Sequence, residues 1–237
     1  MRIIVVRHYK TLLNASRQVL GWGDAPPVYN WEIDLAYVDG MLRKQKIAID
    51  TVHSSKLERA HQTAKYYATH HGVEHVESTP QLNEINYGPA LFKKDKVWVA
   101  SHIPQHKKDP DFVYPEGESF RQMQKRSARY IHALSTTRNS TVMIVVHAGV
   151  IRGLVCHFLD LDYAPNLKRK ISHRYIGDFL INDGICTGYN ELGKASGFIK
   201  DRVIATPWSQ REHFTEEHGH QDPTDPEHDL DFTIPGT

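Results

Sequence analysis

The sequence predicts an α/β protein of the three-layer, doubly wound type, in which a mostly parallel sheet carries helices on both faces. Three observations lead to this prediction. Residues 2–6 are one arginine followed by a short apolar run, which is typical of a strand buried on both faces. Strand-like stretches then alternate with helical ones, as in repeated βαβ units. The chain has 237 residues, 40% of them hydrophobic, which is enough for a well-developed core.

The first half of the chain supplies the early strands and helices. Residues 10–31 are rich in Gly, Pro, Asn and Trp, so we expect a loop over the sheet edge. Apolar residues at helical spacing predict a helix over 35–47. The second strand is expected at 51–54, followed by a helix over 56–71 that begins at a serine N-cap. A third strand is expected at 73–77.

The second half continues the alternation. Residues 89–115 are irregular and basic, and we expect them to form a cap-like insertion in a domain that spans 1–209. The remaining elements are expected in this order: a helix at 119–134, the central strand at 142–146, a helix at 150–159, and short strands at 175–181 and 197–204.

Composition excludes several classes of function. The formal net charge of +1 gives no reason to expect nucleic acid or an anionic membrane as a partner. The two cysteines, Cys156 and Cys186, show neither CxxC nor framework spacing, which indicates a reduced, cytoplasmic protein. No apolar targeting segment precedes the first strand, and no apolar run approaches the roughly 20 residues of a membrane span.

Residues 210–237 differ from the rest of the chain. They hold eight acidic residues, four histidines and three prolines, with few large apolar side chains. This composition is typical of a solvated tail. The alternative is an ordered arm, held by its own domain or by a second copy of the chain, and the second case would make a homodimer.

The candidate chemistry lies at the ends of two strands. His8 follows the first strand and His147 follows the central one, with Arg7 beside His8 and Arg59 between them in sequence. Open α/β sheets bind ligands at the carboxyl ends of their strands. A neutral imidazole there can attack phosphorus, and guanidinium groups bind phosphoryl oxygens bidentately. A single histidine at a strand end is usually structural, but four such residues together predict a phosphate pocket with a nucleophile.

Five segments, in chain order, resemble the histidine phosphatase superfamily, the phosphoglycerate-mutase-like enzymes. They are Arg7-His8 with Thr11 and Asn14; residues 50–55 through Gln62-Thr63-Ala64; Leu82-Asn83-Glu84 through Gly88; residues 114–119; and residues 145–152 around His147-Ala148-Gly149. The resemblance covers about residues 2–160. It implies the phosphoglycerate-mutase-like fold.

The resemblance also implies a set of roles. His8 would be the nucleophile, with Arg7, Arg59 and His147 as the phosphate pocket and Asn14 as a secondary substrate contact. Ala148 is expected to contact substrate as well. Glu84 would protonate the leaving oxygen and then activate water; the alternative is an exposed loop carboxylate without a role. No metal and no cofactor are implied.

Aromatic residues raise open questions about the substrate. Tyr9 stands where the family usually has glycine, so its ring lies either over the pocket mouth, contacting substrate, or in the core. Trp22 and Trp98 are candidate walls of the pocket, although burial under the loop is the commoner fate of each.

Residues 92–109 hold five lysines and two histidines against two aspartates. A charge run of this kind is usually a solvated face. If it folds over the pocket, it favours a second anionic group on the substrate.

These predictions favour a metal-independent phosphatase that hydrolyses a small phosphorylated metabolite through a phosphohistidine. Two alternatives remain. A mutase of the same fold would return the phosphoryl group to the product, although residues 83–88 lack the longer basic block that follows the acid–base glutamate in mutases of the family. A non-catalytic phospho-ligand binder is favoured only by Tyr9, since binding alone needs neither a nucleophile nor a proton donor.

Overall fold

A six-stranded mixed sheet forms the centre of the protein. The structure is a computed structural model that describes residues 1–137, 140–182, 184–194 and 196. The strands are β1 (Arg2–Arg7), β2 (Thr51–Ser55), β3 (Val76–Thr79), β4 (Thr141–Val146), β5 (Ile176–Asn182) and β6 (Ile185–Glu191). Their order in the sheet is β3-β2-β4-β1-β5-β6. The first four are parallel, whereas β5 and β6 form an antiparallel hairpin against β1.

Helices lie in the connections between the strands. They are α1 (Leu12–Ala15), α2 (Glu32–Lys44), α3 (Glu58–His71), α4 (Lys96–His102), α5 (Phe120–Thr137), α6 (Ala148–Phe158) and α7 (Tyr163–Asn166). Two short 3₁₀ turns lie at Pro80–Leu82 and Pro89–Leu91.

Side-chain alternation along β1 divides the core into two layers. Ile4 and Val6 pack with α2 and α3 on one face of the sheet. Ile3 and Val5 pack with α5 and α6 on the other face. Successive strand residues point to opposite faces, so an unbroken apolar strand requires helices on both. The predicted three-layer α/β class is therefore confirmed.

The register of β1 against β4 determines where the strand-end histidines lie. Arg7 pairs with Val146, and the His8 amide donates to the Val146 carbonyl at 3.0 Å. His8 and His147 each follow the last residue of their strand, so they leave the sheet side by side at its carboxyl edge.

Several predicted boundaries were wrong. Helix α3 begins at Glu58 with Leu57 at the N-cap, so the predicted serine cap is absent. Ser55 instead binds Asn83 and the Leu57 amide, while Asp24 accepts from the Glu58 and Arg59 amides. A side chain distant in sequence therefore caps this helix, which local patterns cannot reveal.

Other elements differ from expectation as well. The third strand lies at Val76–Thr79, and the basic insertion contains the helix α4. Strand β6 was missed because its sequence contains Gly188 and Asn190, which weaken strand character. The strand predicted at 197–204 and the tail at 210–237 lie outside the described residues. Within the described ranges, no helix is both long and apolar enough to cross a bilayer.

Candidate active site

His8 presents one ring nitrogen for chemistry because the other is already bonded. Its Nδ1 lies 2.6 Å from the Tyr9 carbonyl oxygen, and because a carbonyl can only accept, Nδ1 must carry the proton. The lone pair is therefore on Nε2. Burial lowers the pKa of His8 far below its usual value, and the nearby charges of Arg59, His147 and Arg7 lower it further. His8 is thus a neutral imidazole at physiological pH, which is the form that can act as a nucleophile.

His147 lies directly behind His8. The two ring centroids are 5.0 Å apart, and His147 has no exposed surface. Among the described residues, neither of its ring nitrogens has a hydrogen-bond partner. Burial and the cations Arg59 and Arg7 also lower its pKa far below the usual value. A buried polar group without a partner costs free energy, which is typical of a group kept available for a ligand.

Carbonyl groups of the loop over the sheet edge hold Arg59. Its Nη1 donates to the Gly23 carbonyl at 2.7 Å and to Asp24 at 2.9 Å, and its Nη2 donates to the Gly21 carbonyl at 2.7 Å. The side chain is 1% exposed, and its Nε has no partner in the described part of the chain. Burial lowers the pKa of Arg59, whereas Asp24 raises it. Asp24 therefore both caps α3 and orients this guanidinium.

Arg7 lies on the same wall as His8. Its Nη1 donates to the Ile171 carbonyl, and its buried Nε has no partner among the residues described. Burial and then the neighbouring Arg152 lower the pKa of Arg7 to about 9, so the group stays cationic at neutral pH. Arg7 and Arg59 together can bind the oxygens of one phosphoryl group.

Glu84 lies on the wall of the same cavity, and two backbone amides hold its carboxylate. Oε1 accepts from the Ile85 amide at 3.0 Å, and Oε2 accepts from the Gly149 amide at 3.1 Å. Position 149 must be glycine for this contact, because a Cβ there would overlap Oε1. The first turn of α6 therefore places the carboxylate.

The backbone of Glu84 is held from a second side. Its carbonyl accepts from Trp22 Nε1 at 2.6 Å and from Arg126 at 3.1 Å. Arg126 also forms an ion pair with Glu118 at 2.7 Å, and Glu118 accepts from the Asn86 amide. Trp22 thus positions the Glu84 loop instead of lining the cavity. Sequence reasoning gave Arg126 and Glu118 no role, although Glu118 lies in one of the five segments.

The remaining predicted contacts divide into two groups. Asn14 and Ala148 line the cavity. Asn14 accepts from the Thr11 amide through Oδ1, which leaves its amide nitrogen for a ligand. The Tyr9 ring packs in the core, 5.0 Å from Trp31, so its contribution to the site is the carbonyl that binds His8. Trp98 is half exposed and stacks on His102, away from the cavity lining.

The cavity has a volume of about 680 Å³ and is strongly cationic. Sequence reasoning missed part of its lining: four of the residues follow the last of the five segments, whereas Tyr87 and Arg152 lie inside the third and fifth segments but were given no role. The missed residues are Tyr87, Arg152, Lys168, Lys170, His173 and Lys194. His173 donates from Nδ1 to the His8 carbonyl at 2.7 Å and so supports the backbone of His8. Within the described residues, no three His, Cys, Asp or Glu side chains cluster as metal ligands would.

Comparison with known proteins identifies the family of this chain. The sequence model described as "Histidine phosphatase superfamily (branch 1)" matches residues 3–176. A 2,3-bisphosphoglycerate-dependent phosphoglycerate mutase of Bartonella henselae is 26% identical over 179 residues, covering 72% of this chain and 87% of the relative. A probable phosphoglycerate mutase of Yersinia enterocolitica is 28% identical over 182 residues, covering 73% and 81% respectively.

Two solved structures share the fold. A mycobacterial glucosyl-3-phosphoglycerate phosphatase has a TM-score of 0.66 at 20% identity, covering 76% of this chain and 92% of its own. The α-ribazole phosphatase of Shigella flexneri has a TM-score of 0.67 at 21% identity, covering 87% and 96%.

The buried histidines predict loss of stability in acid. His147 stays neutral in the folded protein but protonates near pH 6.5 once unfolded, so its contribution is complete above pH 6.5 and is lost as the pH falls below it. For each such histidine, the free energy of unfolding falls by about 1.4 kcal/mol per pH unit below pH 6.5. Urea unfolding between pH 7 and pH 5, in phosphate-free buffer, measures the slope.

His147→Gln should make this slope shallower by about 1.4 kcal/mol per pH unit. The control is His75→Gln, at an exposed position, which should keep the wild-type slope. An unchanged slope in His147→Gln would show that His147 titrates normally in the folded protein.

Proposed function

The chain belongs to branch 1 of the histidine phosphatase superfamily, and we propose that it hydrolyses a small phosphomonoester through a phosphohistidine on His8. The observation that carries this proposal is the hydrogen bond from His8 Nδ1 to the Tyr9 carbonyl. It leaves Nε2 as an unprotonated nucleophile in a cavity that also contains Arg7, Arg59 and a carboxyl group, Glu84.

In the first step, Nε2 attacks phosphorus, and the bond from phosphorus to the leaving oxygen breaks. Glu84, in its protonated form, gives its proton to that oxygen, so the product departs as an alcohol. Arg7 and Arg59 bind the equatorial oxygens, whose charge grows in the transition state. The buried His147, with its unpaired ring nitrogens, supplies a further donor beside His8.

In the second step, a water oxygen attacks the phosphohistidine and the N–P bond breaks. The Glu84 carboxylate accepts the proton from water, and inorganic phosphate leaves. His8 is restored with its proton on Nδ1, and Glu84 is protonated again. No metal is required, because the two arginines supply the positive charge that a metal ion would otherwise provide.

A mutase is the second candidate, and the curated relatives named above favour it. It would use the same first step and then return the phosphoryl group to another oxygen of the substrate. Lys168, Lys170 and Lys194 at the cavity lining are exposed, which supports access of water to the phosphoenzyme and therefore hydrolysis. Incubation with 3-phosphoglycerate separates the candidates: a phosphatase releases inorganic phosphate, whereas a mutase forms 2-phosphoglycerate with little release.

The covalent step gives the first functional prediction. Brief exposure to a ³²P-labelled phosphomonoester, followed by quenching in base, should leave label on His8 that is stable in base and lost in acid. His8→Ala should remove the label and reduce turnover by at least about 10³-fold, since the nucleophile itself is lost. His102→Ala, which changes an exposed histidine on α4, is the control. Undiminished turnover in His8→Ala would exclude this mechanism.

The role of Glu84 gives the second functional prediction. Glu84→Gln cannot donate a proton, so it should slow alkyl phosphates by about 10²-fold or more. It should slow p-nitrophenyl phosphate much less in the phosphorylation step, because p-nitrophenolate leaves without a proton. The measurement is the rate of the burst of alcohol or phenolate in rapid-mixing experiments. An equal decrease in the burst rate for both substrates would show that Glu84 is not the general acid.

The contact between Glu84 and α6 gives the third functional prediction. Gly149→Ala should displace the carboxylate, because the added Cβ overlaps Oε1, and it should reproduce the substrate pattern of Glu84→Gln. Gly40→Ala is the matched control, since a Cβ at Gly40 meets nothing within 4 Å and lies inside α2. That control should keep full activity and gain up to about 1 kcal/mol of stability. Wild-type behaviour of Gly149→Ala with alkyl phosphates would contradict the proposed placement.

A further inference from the structure

We propose that the substrate carries a second phosphate group, which binds at a distal subsite formed by Arg152, Lys96 and Lys107. The proposal rests on the phosphatase function above and specifies the class of substrate for the same cavity. The proposed subsite uses residues other than Arg7 and Arg59, which serve the transferred phosphoryl group, and its members Arg152 and Lys96 are charged neighbours of Arg7.

Arg152 is the buried member of the subsite. It lies on α6, is 8% exposed and lines the cavity. Its Nε donates to the Arg169 carbonyl at 2.7 Å, which leaves the two Nη groups. In the described part of the chain it forms no ion pair with a carboxylate. A buried guanidinium is costly without an anion, so this position is suited to an anionic ligand group.

Lys96 and Lys107 come from the insertion that follows Glu84, and both line the cavity. Lys96 is the first residue of α4, whereas Lys107 has a left-handed backbone with φ of 52°. The exposed Lys93 has a similar φ of 63°, so it is the position of Lys107 in the cavity lining, and not its backbone, that sets it apart. Burial and then Arg152 and Lys96 lower the pKa of Lys107 to about 7. Arg152 and Lys96 are thus the two charged groups that lower the pKa of Lys107 most, after burial.

The other three lysines of the insertion differ from Lys96 and Lys107 in where they lie. Lys93, Lys94 and Lys108 are exposed and are absent from the cavity lining. Lys94 lies over the Trp98 ring at the surface. The five lysines of the insertion therefore divide into two groups. Two of them line the cavity, and the other three face solvent.

The balance of charge favours phosphate over carboxylate at this subsite. Among the described residues that line the cavity, Glu84 is the single acidic side chain. One phosphoryl dianion matches Arg7 and Arg59, which leaves the basic groups of Arg152, Lys96 and Lys107, the last with a pKa of about 7. A carboxylate would neutralise one of them, whereas a second phosphate brings up to two charges and three acceptor oxygens.

The cavity has room for both groups. Its volume of about 680 Å³ lies within the range of sites that hold a whole small metabolite. Three exposed lysines in its lining, Lys168, Lys170 and Lys194, add positive potential at the entrance. Such a field raises the rate at which highly charged anions arrive.

The test uses three substrates built on one short chain. They are 3-hydroxypropyl phosphate, 4-phosphooxybutanoate and propane-1,3-diyl bisphosphate, which end in a hydroxyl, a carboxylate and a phosphate. Release of inorganic phosphate gives kcat/KM for each. We expect the bisphosphate to exceed the hydroxyl compound by about 100-fold, since two charge-assisted contacts contribute about tenfold each, and the carboxylate to lie between them.

Substitutions test whether the preference for the bisphosphate depends on the residues of the proposed subsite. Lys107→Met and Lys96→Met should each lower the ratio of bisphosphate to hydroxyl kcat/KM by about tenfold. Lys108→Met is the matched control, because Lys108 is the exposed neighbour outside the lining, and it should keep the wild-type ratio. Arg152→Gln should lower the ratio further, and the lysine variants decide the matter if that protein does not fold.

The outcomes distinguish the two proposals. Equal kcat/KM for the bisphosphate and the hydroxyl compound, with phosphate released from both, would overturn the second-phosphate subsite and leave the phosphatase intact. A preference for the carboxylate over the bisphosphate would overturn it as well. A preference that survives in both lysine variants would place recognition elsewhere. Release from none of the three substrates or from p-nitrophenyl phosphate would overturn the phosphatase proposal itself.

Discussion

The parallel pairing of β1 with β4 is the constraint on which the site depends. Its register places Arg7 opposite Val146, and the hydrogen bond from the His8 amide to the Val146 carbonyl extends the pairing by one residue. His8 and His147 consequently leave the sheet together, with ring centroids 5.0 Å apart. A shift of one residue would turn each apolar side chain to the opposite face, so the packed core on both faces maintains this register.

Backbone carbonyls make the buried positive charge tolerable. Arg59 is bound by the Gly21 and Gly23 carbonyls, and Arg7 by the Ile171 carbonyl. These carbonyls disperse charge without neutralising it, whereas the Asp24 carboxylate, 2.9 Å from Arg59 Nη1, partly neutralises Arg59. The same cations, together with burial, keep His8 neutral. In the proposed mechanism, binding of phosphate and activation of His8 therefore arise from one electrostatic arrangement.

Much of the fold and the centre of the site could be predicted because the signals are local. The apolar run of β1 indicates a strand buried on both faces, and the histidines stand immediately after β1 and β4. Features that depend on distant contacts were not predictable. Asp24 caps α3 from a loop 34 residues away, and Trp22 binds the Glu84 carbonyl from 62 residues away. No pattern near Glu58 or Glu84 reveals either contact.

The sequence by itself determined the class of fold and the family, and it singled out the residues proposed to bind phosphate, because these features depend on short local motifs. The tertiary structure alone decided which side chains share the cavity. It directed the Tyr9 ring into the core, and it selected Lys96 and Lys107 from five lysines of the insertion. It also placed Arg152 in the lining of the same cavity. The physical reason is that side-chain direction follows from backbone conformation and packing, such as the left-handed φ of Lys107, and neither is encoded in local residue patterns.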